Sequence, residues 1–272
     1  MLSIIWNSIL FHPFLNILVS LYQLLGHNLG WAVIVIAVLI RLVLSPAMKS
    51  QTEMSKKLAA MKPKLDKLQK DYANNPQKLS EEQMKLYKES GYNPLGCFAS
   101  FLTQILVLYA MIQVINVVTN NNFDGLYPFV REWVFGTSVP AIDTNFYFIS
   151  LTQTYNGVIA GNYLNPAGIP YLVLAILVGV IQFFSTKFMQ IMQGQKPAEV
   201  KKGAEKTPEQ MQSEMLNSMN IVFPFLTTFI SLSSPAVLGL YWLVQSIMLI
   251  LQYWFIDKEK FVGALKQTFW IK

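Results

Sequence analysis

The chain has 272 residues, 53% of them hydrophobic and only 13% charged, with a formal net charge of +6. Soluble domains carry about 25% charged residues, so half that share excludes an ordinary water-soluble globule and argues for a body embedded in lipid. A lone cysteine excludes an intrachain disulfide framework, two histidines cannot anchor a metal centre, and no nucleophile–base pairing or phosphate-cradling loop is present. Covalent catalysis, a cofactor and a bound metal are therefore not expected.

The basic charge is sharply placed. Residues 1–40 hold no charged side chain, 49–91 hold ten lysines against six acids, and 119–167 hold one arginine, three acids and no lysine. Five lysines follow between 187 and 206, and four more are Lys258, Lys260, Lys266 and Lys272. Lysine-rich loops mark the cytoplasmic side of a membrane, so this spacing is an orientation signal and not a DNA-binding patch.

Taken in chain order, residues 1–28 repeat Leu10, Phe14, Ile17, Leu18, Leu21, Leu24 and Leu25 at helical spacing, while Asn7, His12-Pro13, Asn16 and Gln23 interrupt them. This predicts an amphipathic helix lying in the outer membrane interface, with a sixth span as the alternative. A cleaved signal peptide fits less well, since no basic start and no small-residue cleavage site are present.

Residues 29–45 predict the first span. Arg41 sits inside it, with no acidic residue within ten positions on either side. A charge at a helix centre costs about 2.5–3.5 kcal/mol on insertion scales, so it calls for a polar pocket suited to something negative. Snorkelling toward the cytoplasmic end is the plain alternative.

Residues 46–92 predict a cytoplasmic helical hairpin. Met54, Leu58, Met61, Leu65 and Leu68 follow the 4-3-4-3 spacing of a coiled-coil seam, and Pro63 is expected to bend this arm. After a turn at 72–76, a second arm from about Gln77 places Leu79, Gln83 and Leu86 on one face, with Glu81 and Glu82 near its first turn. The seam suits a solvated hairpin packed on itself and a docking surface for a partner equally well.

The second span is predicted at 93–118, an extracytoplasmic segment at 119–167, the third span at 168–191, and a cytoplasmic loop at 192–217. An uncharged stretch then holds two more spans, 218–233 and 235–256, because Ser233-Ser234-Pro235 breaks the helix. A short basic tail covers 257–272. The lysines orient these spans with the N-terminus outside and the C-terminus inside, in a cell membrane.

Polar residues inside the spans are candidate pocket residues: Thr103, Gln104 and Gln113, then Gln182 and Ser185, then Thr227, Thr228 and Ser231, then Gln245 and Ser246. Each suits an interhelical hydrogen bond as well, typically worth about 0.6 kcal/mol. Tyr241 and Trp242 fit a client path, an aromatic belt or simple packing.

Arg41-Leu-Val-Leu-Ser-Pro46, Met61-Lys-Pro63, Asn93-Pro94-Leu-Gly96 and Pro235-Ala-Val-Leu-Gly-Leu-Tyr241-Trp242 occur in this order along about residues 10–260. The series resembles the YidC membrane protein insertase family, the bacterial branch of the YidC/Oxa/Alb superfamily. The resemblance implies an all-α integral membrane protein: a five-helix transmembrane bundle, a cytoplasmic helical hairpin and an N-terminal interfacial helix. It further implies a hydrophilic groove, made positive by Arg41, that receives the polar tail of a client protein.

Gln104, Gln182, Thr103, Ser185, Thr228, Gln245, Tyr241 and Trp242 are the expected groove companions of Arg41. Lys56, Lys57, Lys62, Lys64 and Lys67 are the expected recruitment surface, and a greasy slide on the third and fifth spans would release clients into lipid. The expected partners are nascent membrane proteins, the lipid bilayer, and the Sec translocon and ribosome. A folding chaperone beside the translocon is the main alternative. A small anion transporter fits less well, because paired intramembrane charges and internal repeats are missing.

Departures from the family pattern are Ala37 where a threonine is frequent one turn before the arginine, and Cys97, Ser100 and Leu106 where glycines and prolines are common. The second span is therefore expected to be straighter, with Cys97 a buried small residue. No large extracytoplasmic domain is expected ahead of the first span, and the short tail argues against a strong ribosome tether.

Overall fold

The structure, a computed structural model, describes residues 6–72, 75–91, 95–138, 141–192 and 222–269. Among these the chain is helical, apart from one two-stranded hairpin. It divides into two compact units, the first comprising Met1–Val43, Gln104–Gln182 and Pro224–Leu249, the second Leu44–Thr103, Phe183–Phe223 and Ile250–Lys272.

In the first unit a π-helical turn, Asn7–Phe11, leads into α1 (His12–Leu24). Pro13 sits in the first turn of α1, where its missing N–H costs nothing. The helix stops in a Schellman turn: Gly26 (φ +71°) and His27 (φ +59°) turn left-handed, and their N–H groups bond to Gln23 O (3.4 Å) and Tyr22 O (2.8 Å). Asn28 then caps α2 (Leu29–Val43) through Trp31 N–H, at 3.1 Å.

The core of this unit follows from helical periodicity. Leu29, Ala32, Val33, Ile36 and Ala37 form the buried stripe of α2, and Met111, Val114, Ile115 and Val118 that of α5 (Leu95–Asn120). Both join α1 and part of α10 (Ala236–Ile256) in one apolar cluster that includes Val237, Leu240 and Tyr241.

Two helices, Pro166–Met192 and Ala236–Ile256, are long and apolar enough to cross a bilayer, and Leu29–Val43, Ile105–Asn120 and Val222–Ser233 are shorter apolar helices. The run beginning at Pro166 comprises a 3-10 turn and α8 (Ile169–Met192), and Val222–Ser233 is α9. Glycines let these helices approach: a Cβ on Gly179 would collide with Thr228 Oγ1, and one on Gly239 would lie 2.6 Å from Ser231 Oγ.

The break at Ser233-Ser234-Pro235 separates α9 from α10. The first N–H groups of α10, which a helix cannot satisfy internally, are taken from outside: Ala236 N–H donates to Gln153 O (2.9 Å) and Val237 N–H to Leu151 O (2.9 Å).

The segment 119–167, expected from sequence as an extracytoplasmic segment, is built into regular elements. It contains α6 (Pro128–Phe135), the antiparallel strands β1 (Asn145–Phe146) and β2 (Ile149–Ser150), and the short α7 (Tyr155–Ile159). Phe123, Leu126, Val130, Ile142 and Leu151 enter the main core. Asn16, which in sequence only interrupts an apolar run, holds this layer in place. Its amide donates to His12 O (2.7 Å) and Gly125 O (3.0 Å) and accepts from Tyr127 N–H (2.7 Å), so a 4%-exposed side chain is fully satisfied.

In the second unit α3 (Ser45–Asp71) runs through Pro63 as one element, and α4 (Pro76–Glu89) begins under an Asn75 cap. Met61 and Leu65 form the seam, with Met54, Leu86 and Tyr87 packed on it, and Leu79 and Gln83 are buried on α4. The first turn of α4 contains no acid, because the helix starts at Pro76 and so leaves Glu81 and Glu82 beyond it. The tail forms a further helix, α11 (Lys258–Phe269), capped by Asp257 accepting from Lys260 N–H at 3.0 Å. Phe188 packs against both Tyr253 and Phe261.

Candidate functional site

Arg41 occupies the last turn of α2 and is 8% exposed. It continues the buried stripe of that helix, four residues after Ala37, while the next residues, Leu42 and Val43, are exposed. A guanidinium stays charged in proteins and offers five donors in a planar fork. Its burial in an apolar helix concentrates positive potential where the dielectric is low.

Gln245 of α10 reaches the turn that carries Arg41. Its Nε2 donates to Ala37 O at 3.0 Å, and both partners are buried. Ala37 O is also the carbonyl that the helix offers to Arg41 N–H, so the glutamine amide ties α10 to the backbone directly under the arginine. A threonine hydroxyl at position 37 would bring a polar side chain there; with alanine the glutamine amide supplies it.

The neighbouring residue on α10 points elsewhere. Ser246 Oγ donates to Gln182 Oε1 of α8 at 2.7 Å. Successive helical positions are about 100° apart, so the adjacent pair Gln245-Ser246 bonds two different helices at one level. Gln245 and Ser246 thus link α10 to the backbone of α2 through a buried bond and to Gln182 of α8 through a half-buried one.

The remaining candidates lie differently. Thr227 and Thr228 turn their hydroxyls back to Pro224 O, at 3.0 and 2.8 Å, and Thr228 also lies against Gly179. The hydroxyl bonds are internal to α9, and only the approach of Thr228 to Gly179 is a contact between helices. Ser231 is buried beside Gly239. Gln113 accepts from Trp6 Nε1 (2.6 Å) and donates to the Tyr109 hydroxyl (3.2 Å), joining the N-terminal turn to α5. Tyr241 is 1% exposed within the main core, and Trp242 is half-buried against it. Ser185 belongs to the second unit and is fully buried. Thr103 and Gln104 carry side chains outside the described residues, as does Cys97.

On the hairpin, Lys57, Lys64 and Lys67 are exposed, while Met61 and Leu65 form the buried seam. The side chains of Lys56 and Lys62 lie outside the described residues. Lys85 pairs with Glu82 at 2.6 Å on α4, and that hydrogen bond raises the lysine above its ordinary pKa.

Residues 20–263 match the family model described as 60Kd inner membrane protein. The chain is 27% identical to the membrane protein insertase YidC of Fusobacterium nucleatum over 258 residues, covering 95% of this chain and 99% of that protein. It is 29% identical to the insertase YidC of Chlorobaculum tepidum and 30% identical to that of Chlorobium limicola, over 88% and 85% of this chain. The chain spans only about a third of the length of those two relatives, 35% and 33%. With its family model matched over most of its length, the chain belongs to the 60Kd inner membrane protein family, the YidC family of membrane insertases, which are not enzymes.

Proposed function

We propose that the chain is a membrane protein insertase in which Arg41 receives the polar tail of a client. The observation that carries this reading is Arg41, 8% exposed in an otherwise apolar helix, with the Gln245 amide bonded to the backbone carbonyl of Ala37 one turn before it. A carboxylate or the backbone carbonyls of an incoming tail are the natural acceptors for such donors. Moving a polar tail part of the way across on them lowers the cost of desolvating it. The client's apolar segment then leaves sideways for lipid, where its own burial drives insertion.

In this reading α2, α5, α8, α9 and α10 are the five membrane spans, with the N-terminus outside and the C-terminus in the cytoplasm of a cell membrane. The lysine distribution supports that orientation. α1 lies in the outer interface, and the lysine face of α3 recruits clients, the ribosome or the Sec translocon. Gln182 and Gln245 line the client path with Arg41, while Thr228 and Tyr241 act in packing.

The test is insertion of a small single-span client with an acidic N-terminal tail into liposomes by the purified protein, scored by protease protection. Arg41→Lys is expected to retain insertion, and Arg41→Ala and Arg41→Glu to lose about tenfold or more, since a charge-assisted hydrogen bond is worth roughly 1.5–3 kcal/mol. Equal insertion by all four folded proteins would remove Arg41 from the mechanism.

A further inference from the structure

The charge-free stretch that precedes α8 carries a feature the insertase reading does not use. Between Asp143 and Lys187 there is no charged side chain. A water-washed layer would ordinarily be rich in charge. Instead this layer ends in two exposed apolar tips, Tyr147-Phe148 (73% and 87% exposed) and Tyr163-Leu164 (80% and 91%).

Both tips are held firmly. The first is the two-residue turn between β1 and β2, with Phe146 paired to Ile149. Tyr147 has φ +51°, a conformation that glycine supplies at no steric cost, yet the position holds a tyrosine. Thr144 and Ser150 hydroxyls bridge the strands at 3.2 Å. The second tip is closed by Asn162 N–H to Ile159 O (2.8 Å) and by Asn165 Nδ2 to Val158 O (3.0 Å). Rigid backbone therefore presents large apolar groups outward, in place of letting them fold under.

The depth of the tips follows from what anchors them. Ser150 N–H donates to the Tyr171 hydroxyl at 2.8 Å, which fastens β2 to the first turn of α8. Phe146 packs edge-on to Trp31, 6.1 Å between centroids, and fills the space a Cβ on Gly30 would need, which fastens β1 to the first turn of α2. Leu164 lies two residues before Pro166, where the long apolar helix begins. The hairpin is thus bolted at the level where both helices start, and the start of a spanning helix is the membrane–water interface.

We propose that Tyr147, Phe148, Tyr163 and Leu164 are interfacial anchors that insert into the outer lipid leaflet. The inference rests on α8 spanning the membrane, as proposed above. The chemistry fits: aromatic rings settle at the headgroup level, and neither tip carries a charge. The nearest acid, Asp143, stays at the base of the hairpin, where it accepts from Asn145, so no carboxylate or lysine at the tips has to be desolvated. One anchor at the hairpin tip and one just before α8 hold the extracytoplasmic layer at the start of the helix.

The experiment places an environment-sensitive NBD dye at Phe148→Cys, Val180→Cys or Glu132→Cys in a Cys97→Ser background, in phosphatidylcholine–phosphatidylglycerol vesicles carrying nitroxide lipids. The expected result is quenching of the Phe148 site by headgroup-proximal nitroxide at least about twofold stronger than of the Glu132 site. The Val180 site, midway along α8, is expected to respond to nitroxide deep in the acyl chains. A Phe148 dye reached by aqueous iodide but not by lipid nitroxide, with Val180 still quenched, overturns the anchor and leaves the spanning helix standing. A dye shielded from both quenchers means that protein, such as a second copy, covers the tip, and it also overturns the proposal. If Val180 is unquenched as well, α8 does not span and the anchor fails with it.

Discussion

Two stretches of similar length are ordered by opposite means. The layer from 119 to 167 is poor in charge and knitted to distant helices by backbone and side-chain hydrogen bonds, through Asn16, Tyr22, Tyr171 and the start of α10. The hairpin of α3 and α4 is rich in lysine and held by its own seam at Met61 and Leu65. The first is therefore a fixed part of its unit's architecture. The second closes on its own seam and carries exposed lysines, Lys57, Lys64 and Lys67.

The largest expected effect tests the first half of that contrast. Asn16→Leu removes three hydrogen bonds and strands Gly125 O and Tyr127 N–H in a buried site. An unsatisfied buried group costs about 1–3 kcal/mol, so the loss is expected to reach about 2–5 kcal/mol. Unfolding in detergent should show it as a lowered transition midpoint. An unchanged midpoint would mean that the layer is not held through Asn16.

Leu65→Ala addresses the second half. Leu65 is 2% exposed in a seam with few other buried residues. Truncating a buried leucine costs about 2–5 kcal/mol, at the low end where neighbours can collapse into the space. Hydrogen exchange is expected to speed up across α3 and α4 while α1 and α2 keep their protection. Acceleration spread over both units would show that the hairpin is not self-contained.

A smaller effect separates surface from structure. Lys57→Glu, Lys64→Glu and Lys67→Glu together are expected to shift stability by less than about 1 kcal/mol, because exposed charges contribute little. Client binding, measured by crosslinking in the insertion assay, is expected to fall. Unchanged binding would leave these lysines with an orienting role alone.

The smallest effect is a pH dependence. Burial raises the Tyr22 phenol above its ordinary value, outweighing the hydrogen bond it accepts from Asp143 N–H. A raised folded pKa leaves stability intact below pH 10, and stability falls as pH rises beyond it, because the unfolded chain loses the proton first. Thermal melts between pH 9 and 11 should therefore drop more steeply for the wild type than for Tyr22→Phe. Parallel slopes would show that the buried phenol titrates normally.

Several features were legible from local pattern alone. The apolar run around Arg41, the seam residues Met61 and Leu65, and the break at Pro235 each rest on neighbours within a few residues, where periodicity and proline chemistry act directly. The start of α4 is equally local: Asn75 caps it through Lys78 N–H and Pro76 opens it, one residue before the expected Gln77, with Glu81 and Glu82 in the turn that follows.

The sequence by itself determined the membrane character, the clustering of the lysines and the isolated arginine, because composition and charge order need no partner to be read. Only the tertiary structure decided which polar residues matter to which. Asn16 looks like an interruption until Gly125 and Tyr127 are folded against it, and Gln245 looks like any intramembrane glutamine until it meets Ala37 O, 208 positions away. Hydrogen bonds of that kind depend on donor and acceptor meeting in space within about 3 Å, and nothing in local periodicity encodes such a meeting.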